Sequence, residues 1–339
     1  MQVVSAQLVS GKKVLIRLDI DVPIGVSEHQ SVSGSEKGKL VVLDDFRLKA
    51  GLGTLKLCLE NASEVIVMGH LGRPKGEDKK LSVAPIYTWL ENQGFAGDLE
   101  SGKLQLLENL RFEEGEDSCD LNYAKELAAL GEIYINEAFA AHHPAASTTV
   151  LPTLLPHAAG LRFAEEVKTL SEIQDNPQRP LIAVVGGAKI EDKLPAVRVL
   201  SKIADVVLVG GKISQELEKD PGILKELGEG VVLGELNKDK TDLTPETIQV
   251  WKEIILHHSK SVIWNGPLGK IEDPQNNQSK YLAEAIIESG AKSVVGGGDT
   301  VSALDKWNLL DKFNFVSTGG GAMLEFLTEG TLPAIEALS

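Results

Sequence analysis

The chain has 339 residues, 42% of them hydrophobic, a formal net charge of −15 and two cysteines, Cys58 and Cys119. That size allows about two domains with their own cores, the acidic balance speaks against a nucleic-acid partner, which needs a basic face, and two cysteines form neither a disulfide framework nor a zinc spacing. The N-terminus MQVVSAQLVSGKK lacks a basic start before an apolar run, and no apolar stretch approaches the ~20 residues of a membrane span, so a soluble cytoplasmic protein without a membrane partner is expected.

In chain order, short β-branched runs alternate with helix-like stretches. Strands are predicted at KVLIRL (13–18), EVIVMG (64–69), KLQLL (103–107), EIYIN (132–136), LIAVV (181–185), DVVLV (205–209), SVIW (261–264), KSVV (292–295) and FNFV (313–316). Helical patterns such as APIYTWLENQG and TIQVWKEIILHHS lie between them. This alternation predicts an α/β chain of parallel sheets covered by helices, with ligands at the carboxyl ends of the strands. The serine-rich GVSEHQSVSGSEKG (25–38) reads as an exposed loop. STTVLPTLLPHAAG (147–160) breaks the pattern with two prolines and a glycine, and LRFAEEVKTLSEIQ (161–174) reads as a connecting helix. The domain boundary is placed near 160, giving a first domain 1–160 and a second domain 161–326. No internal repeat of fixed period is present.

In the second half, five strands run out into glycine, at VVGGAK, LVGGK, IWNGP, VVGGGDT and VSTGGGA. Glycine lets backbone N–H groups approach a ligand closely and adopt positive φ, and consecutive N–H groups at a helix start cradle anions. One such turn is ordinary strand punctuation; five on one sheet edge predict a nucleotide-binding edge. Asp299 adds a carboxylate, a group that Mg²⁺ takes together with phosphate oxygens. The G-x-x-x-x-G-K-[ST] loop is absent, and no G-x-G-x-x-G opens the first strand–helix unit, which excludes a P-loop enzyme and an ordinary dinucleotide dehydrogenase.

The first half carries charge instead. RLDIDVP (17–23), LDDFRL (43–48), GHLGRPKG (69–76) and ENLRF (108–112) each place a charged group at or beyond a strand end. The seven arginines are Arg17, Arg47, Arg73, Arg111, Arg162, Arg179 and Arg198, with none after 198. Arginine suits forked recognition of carboxylate or phosphate. A lone exposed arginine is usually a solvated charge, but Arg47, Arg73 and Arg111 with His70 are expected to converge on one small anion.

Taken in order over almost the whole chain, GKKVLIRLDIDVP, GHLGRPKG, ENLRF, VVGGAKIEDK, IWNGPLG, GGGDT and STGGGA resemble the signature segments of the phosphoglycerate kinase family. The resemblance implies two doubly wound parallel-sheet domains joined by a hinge helix. It implies a first domain that holds 3-phosphoglycerate and a second that holds ATP or ADP with Mg²⁺. Hinge closure then permits reversible phosphoryl transfer between ATP and the acid's carboxylate. A tail, 327–339, is expected to pack back on the first domain. By resemblance, Asp19, Asp21, Arg47, His70, Arg73, Arg111 and His143 fall at the acid substrate. Gly187, Lys193, Gly211, Asn265, Pro267, Glu272, Gly297, Gly298, Asp299 and Thr300 fall at the nucleotide, with Asp299 at the magnesium ion. Arg47, Lys189, Gly298 and Gly321 fall around the transferred phosphoryl group. The implied partners are small molecules only, bound by a monomer.

The sequence departs from the family in identifiable places. The family's D-x-N-V-P reads DIDVP, so Asp21 replaces an asparagine, and a second carboxylate beside an anion is repulsive unless paired. In NEAFAAHHPAAS (136–147), which is one residue short, His143 falls where the family has an arginine and Ala145 where it has a histidine. Lys212 of VGGKISQEL replaces a loop glycine. The chain is trimmed between the second and third substrate motifs, and again between GGKIS (210–214) and IWNGP (263–267), part of which helps wall the nucleotide base. These departures keep a second reading open, a non-catalytic nucleotide-binding relative with a regulatory or interaction role. The pairs His142–His143 and His257–His258 predict no metal site, because neighbours on a helix or strand do not face each other. Trp89, Trp251, Trp264 and Trp307 read as packing residues, and EGED (114–117) as a solvated loop.

Overall fold

The computed structural model describes residues 1–26 and 40–339. Most of the predicted serine-rich loop therefore lies outside the described residues, and its first two residues, Gly25 and Val26, are in a strand. Two compact units make up the chain, Met1–Val167 with Leu332–Ser339, and Lys168–Thr331.

The first unit contains β1 (Lys13–Arg17), β2 (Ile24–Val26), β3 (Leu40–Val42), β4 (Glu64–Met68), β5 (Leu104–Leu106), β6 (Ile133–Asn136) and β7 (His157–Ala159). Its main sheet runs β5-β4-β1-β6-β7, with every pairing parallel; β2 and β3 form a separate antiparallel ribbon. Valines and isoleucines fill β1, β4 and β6, which are buried almost end to end, as strands covered on both faces must be. Leu55 and Cys58 of helix Leu52–Asn61 and Ile86 and Leu90 of helix Ala84–Leu90 join the same core. The chain builds outward from β1 in one direction and then resumes at β6 on its other side, so the β1/β6 edge is the topological switch point where ligands gather.

The second unit contains β8 (Leu181–Val185), β9 (Val206–Val209), β10 (Val231–Leu233), β11 (Ser261–Asn265), β12 (Lys292–Gly296) and β13 (Phe315–Val316). All pair in parallel in the order β10-β9-β8-β11-β12-β13, with the switch point at β8/β11.

Each strand predicted from sequence forms, with ends within two residues of those expected. The ones that sequence missed, β2, β3, β7 and β10, are three residues long. β7 arises inside the stretch read as a break: His157, Ala158 and Ala159 are weakly apolar, and pairing with Tyr134, Ile135 and Asn136 of β6 makes them a strand. Helix Leu161–Asp175 starts where Glu137 accepts the N–H groups of Arg162 and Phe163, and Thr54 Oγ1 that of Leu161. Gly160 permits this cap, since a Cβ there would collide with the Glu137 carboxylate. Leu332, Ala334 and Leu338 of the tail are buried, with helix Pro333–Glu336 against residues 146–150 of the first unit.

Candidate active site

At the carboxyl edge of the first sheet, a cavity of ≈ 510 Å³ is lined by Arg17, Arg47, His70, Arg73, Arg111 and His143, together with Asp21. The side chains come from successive strand ends. Arg17 closes β1, Asp21 follows it, His70 and Arg73 follow β4, Arg111 follows β5 and His143 follows β6. The convergence expected of Arg47, Arg73, Arg111 and His70 is present in the geometry.

Asp21 is paired rather than loose. Its Oδ1 accepts the N–H of Gly72 at 2.8 Å, its carbonyl accepts from Arg47 at 2.9 Å, and its Oδ2 lies 3.7 Å from His70 Nε2. Arg111 donates to Asp117 Oδ1 at 2.9 Å and to the Gly72 carbonyl at 2.8 Å, which fixes its fork at the rim. Asp19 does not line the cavity; it is buried beneath Arg47, whose Nε is 3.6 Å from its Oδ2. Burial raises the Asp19 pKa, against the pull of Arg47, and the charge of Asp21 raises it further. His70 is driven the other way, down to about 2, by burial and then by Arg17, Arg111, Arg47 and Arg73. It is a neutral ring at working pH.

Of two further charged residues of this site, the sequence marks Arg17 only as a strand-end charge and places Glu116 elsewhere. Arg17 is 1% exposed and donates to Ser147 Oγ at 3.1 Å, to the Leu18 carbonyl at 2.9 Å and to His70 Nδ1 at 2.6 Å. Glu116, read as part of a solvated loop, sits in a short helix Glu114–Asp117 and is itself 1% exposed, accepting both the N–H and the hydroxyl of Ser147. The rings of His142 and His143 do meet, with centroids 4.1 Å apart, because they lie in a loop where neighbouring side chains need not diverge.

In the second unit, a pocket of ≈ 230 Å³ is lined by Gly187, Gly211, Pro267, Glu272 and Asp299 of the expected nucleotide set. Lys212, Lys240, Lys270 and Leu236 also line it. Leu236 and Thr241, another lining residue, belong to a turn closed by the Leu236–Leu243 bridge, so the trimmed region still supplies part of the wall. Asn265, Lys193, Gly297, Gly298, Thr300 and Lys189 are not among the lining groups. Asn265 is a buried strut: its Oδ1 accepts from Lys193 at 2.6 Å and its Nδ2 donates to the Gly320 carbonyl at 3.1 Å. Burial lowers the Lys193 pKa, opposed by Asp192 and Asp299. Lys193 and Gly321 line a separate cavity of ≈ 470 Å³ beside helices Ile190–Ile203 and Gly320–Glu329. Thr300 is buried, its hydroxyl without a hydrogen-bond partner among the described residues, and Lys189 is exposed just ahead of helix Ile190–Ile203.

The glycines on this edge serve each other first. A Cβ on Gly186 would collide with the carbonyls of Gly266 and Pro267, one on Gly320 would collide with Gly297, and one on Gly211 would lie 2.5 Å from the Gly187 carbonyl. Backbones of adjacent strand ends therefore touch, which closes the β8/β11 crevice tightly. Gly298 differs: a Cβ there meets nothing within 4 Å, and its amide opens helix Gly298–Lys306. Close packing thus accounts for Gly186, Gly211 and Gly320, and open space remains at Gly298.

A sequence model described as phosphoglycerate kinase matches residues 4–232 and 222–330. The chain belongs to the phosphoglycerate kinase family. A phosphoglycerate kinase of Solibacter usitatus is 36% identical over 386 residues, covering 97% of this chain and 96% of that protein. One of Herpetosiphon aurantiacus is 33% identical over 394 residues, with 97% of each covered. Among solved structures, the phosphoglycerate kinase of Coxiella burnetii superposes with a TM-score of 0.80 at 30% identity, covering 97% of this chain and 96% of that one. The phosphoglycerate kinase fold thus accounts for both sheets, and its relatives match nearly end to end.

Proposed function

We propose that the arginine-lined cavity of the first unit holds 3-phosphoglycerate and that the glycine edge of the second holds ATP or ADP. The reaction is that of the family, reversible phosphoryl transfer between ATP and the carboxyl group of 3-phosphoglycerate. The observation that carries the assignment of the acid is the convergence of Arg17, Arg47, Arg73 and Arg111 with a neutral His70 on one cavity at the switch point. A doubly ionised phosphate with a carboxylate needs such a set of fixed donors, and guanidinium forks supply it.

The acceptor carboxylate is already ionised, so no general base is required. Positioning does most of the work, since alignment of two bound reactants supplies roughly 7–11 kcal/mol. Arg47 and Lys189 are assigned to charge developing on the transferred group, with the amides of Gly298 and Gly321 at the helix starts as further donors. Asp299 in the first turn of helix Gly298–Lys306 is a single carboxylate on the pocket wall, a donor set that fits Mg²⁺ shared with nucleotide phosphates. Bound there, Mg²⁺ would neutralise phosphate charge. By family resemblance the protein acts as a cytoplasmic monomer; among the described residues no helix is long and apolar enough to cross a membrane.

The test is turnover of purified protein with MgATP and 3-phosphoglycerate, following ADP. Arg47→Ala and Lys189→Ala are each expected to lose most of the rate. Absence of turnover above a blank in both directions would refute the assignment.

A further inference from the structure

The geometry points to Glu116 and Ser147 as positioning residues of the acid site: through Arg17 they hold His70 in the one tautomer that turns its Nε2–H toward the cavity. This rests on reading that cavity as the acid site.

The chain of hydrogen bonds has a direction at every link. A guanidinium only donates. Arg17 therefore gives Nε–H to Ser147 Oγ at 3.1 Å and a terminal N–H to His70 Nδ1 at 2.6 Å. Ser147 Oγ, having accepted from Arg17, donates its own O–H to Glu116 Oε1 at 2.6 Å, and Glu116 Oε2 accepts the Ser147 backbone N–H at 3.0 Å. With Nδ1 of His70 obliged to accept, the ring proton of the neutral imidazole sits on Nε2. That nitrogen is the one 3.7 Å from Asp21 Oδ2, and both residues line the cavity. Protonation of the ring would place an Nδ1–H against the Arg17 fork, so His70 serves as an aimed donor and not as a cation.

The link runs through the serine. Arg17 and Glu116 approach directly only to 4.0 Å, while Ser147, fully buried, touches both. If Glu116 did nothing more than balance a buried charge, the tautomer of His70 would be indifferent to Ser147. If it positions, then loss of the serine hydroxyl frees the Arg17 fork to rotate and the imidazole loses its fixed tautomer.

The experiment uses full-length protein carrying ¹⁵N-labelled histidine. Long-range ¹⁵N–¹H spectra of the wild type are expected to show His70 with an unprotonated Nδ1 and a protonated Nε2. Ser147→Ala removes the relay without removing a charge. It should yield a mixture of tautomers and raise the KM for 3-phosphoglycerate about tenfold, the scale of one lost hydrogen bond, while kcat and the KM for ATP stay within about twofold. Ser147→Thr keeps the hydroxyl and should restore both the spectrum and the KM. Should Ser147→Ala fail to fold, Glu116→Gln takes its place, because an amide leaves Ser147 one acceptor oxygen and sets an NH2 donor where the second acceptor stood. A single Nε2–H tautomer with unchanged acid KM in the folded variant overturns the inference, and so does an equal loss of acid and ATP affinity. The spectrum needs no substrate, so its outcome is separable from a failure of the wild type to use 3-phosphoglycerate.

Discussion

His70 makes the acid response of this protein calculable. Burial and the arginines around it hold its folded pKa near 2, against 6.5 for a free histidine. Below pH 6.5 the unfolded chain therefore binds a proton that the folded chain refuses, and stability falls as pH falls. Each pH unit in that window costs about 1.4 kcal/mol, so the step from pH 7 to pH 5 removes about 2 kcal/mol. Glu137 acts in the opposite sense. Burial, only partly offset by hydrogen bonds from Thr54, Phe163 and Arg162, raises it from 4.5 to about 7. Its contribution is complete below pH 4.5 and is lost as pH rises toward 7, so over the same acid step it returns about 2 kcal/mol. The two nearly cancel in the wild type, and each appears when the other is removed. His70→Gln should gain about 2 kcal/mol relative to wild type on going from pH 7 to pH 5, and Glu137→Gln should lose about as much. Urea unfolding of the three proteins at both pH values, followed by circular dichroism, reads the difference. A His70→Gln variant whose pH response matches the wild type would show that the ring takes up its proton in the folded protein as it does in the unfolded chain, and the reasoning about its environment would fail.

Other perturbations report on other parts of the site. Asp21→Asn keeps an acceptor for the Gly72 amide but removes a negative charge from the acid cavity; the KM for 3-phosphoglycerate should fall roughly fivefold, an effect of about 1 kcal/mol that shrinks with added salt, and a rise in KM would contradict it. Gly186→Ala drives a methyl into the carbonyls of Gly266 and Pro267; a loss of about 3 kcal/mol in the second unit, seen as a lowered thermal midpoint together with weakened MgADP binding, is expected, and an unchanged midpoint would show that the crevice can open freely. Lys193→Ala removes the partner of Asn265 Oδ1; calorimetry should show MgADP bound at least about tenfold more weakly with 3-phosphoglycerate affinity unaltered, and equal losses for both ligands would contradict the assignment of Lys193 to the nucleotide side.

The fold was legible where single segments carry their own pattern. Four- and five-residue runs such as VLIR and LIAVV announce buried parallel strands through β-branched continuity. HAA at 157–159 carries no such signal and becomes a strand only because β6 pairs with it. The charged cavity was legible through residues that follow strands, such as Arg47 in helix Phe46–Ala50, His70, and Arg111 in the 3-10 turn Leu110–Phe112. Arg17 was not singled out, because an arginine inside KVLIRL is indistinguishable from a strand-end surface charge until the sheet buries it. Glu116 was misplaced for the same reason: EGED is locally as polar as any solvated loop, and only the tertiary approach of Arg17 and Ser147 makes its burial favourable. In the second unit, the glycine runs were legible as a row of strand ends but their division of labour was not, since backbone contact between Gly186 and Gly266 or Gly297 and Gly320 joins residues far apart in sequence. Lys240 and Lys270 on the pocket wall were hidden among lysines scattered over the whole chain, whereas Lys212 stood out in place of a loop glycine.

Acid and nucleotide are assigned to different units, the acid to the arginine-lined cavity and the nucleotide to the glycine edge. Amide chemical-shift mapping of the isotope-labelled protein tests this assignment most directly. Addition of 3-phosphoglycerate alone should shift the amides of Leu71, Gly72 and their neighbours around His70, and MgADP alone should shift those of Gly187, Gly211 and Gly298. Shifts from both ligands confined to one unit, or none from the acid around Gly72, would contradict the account.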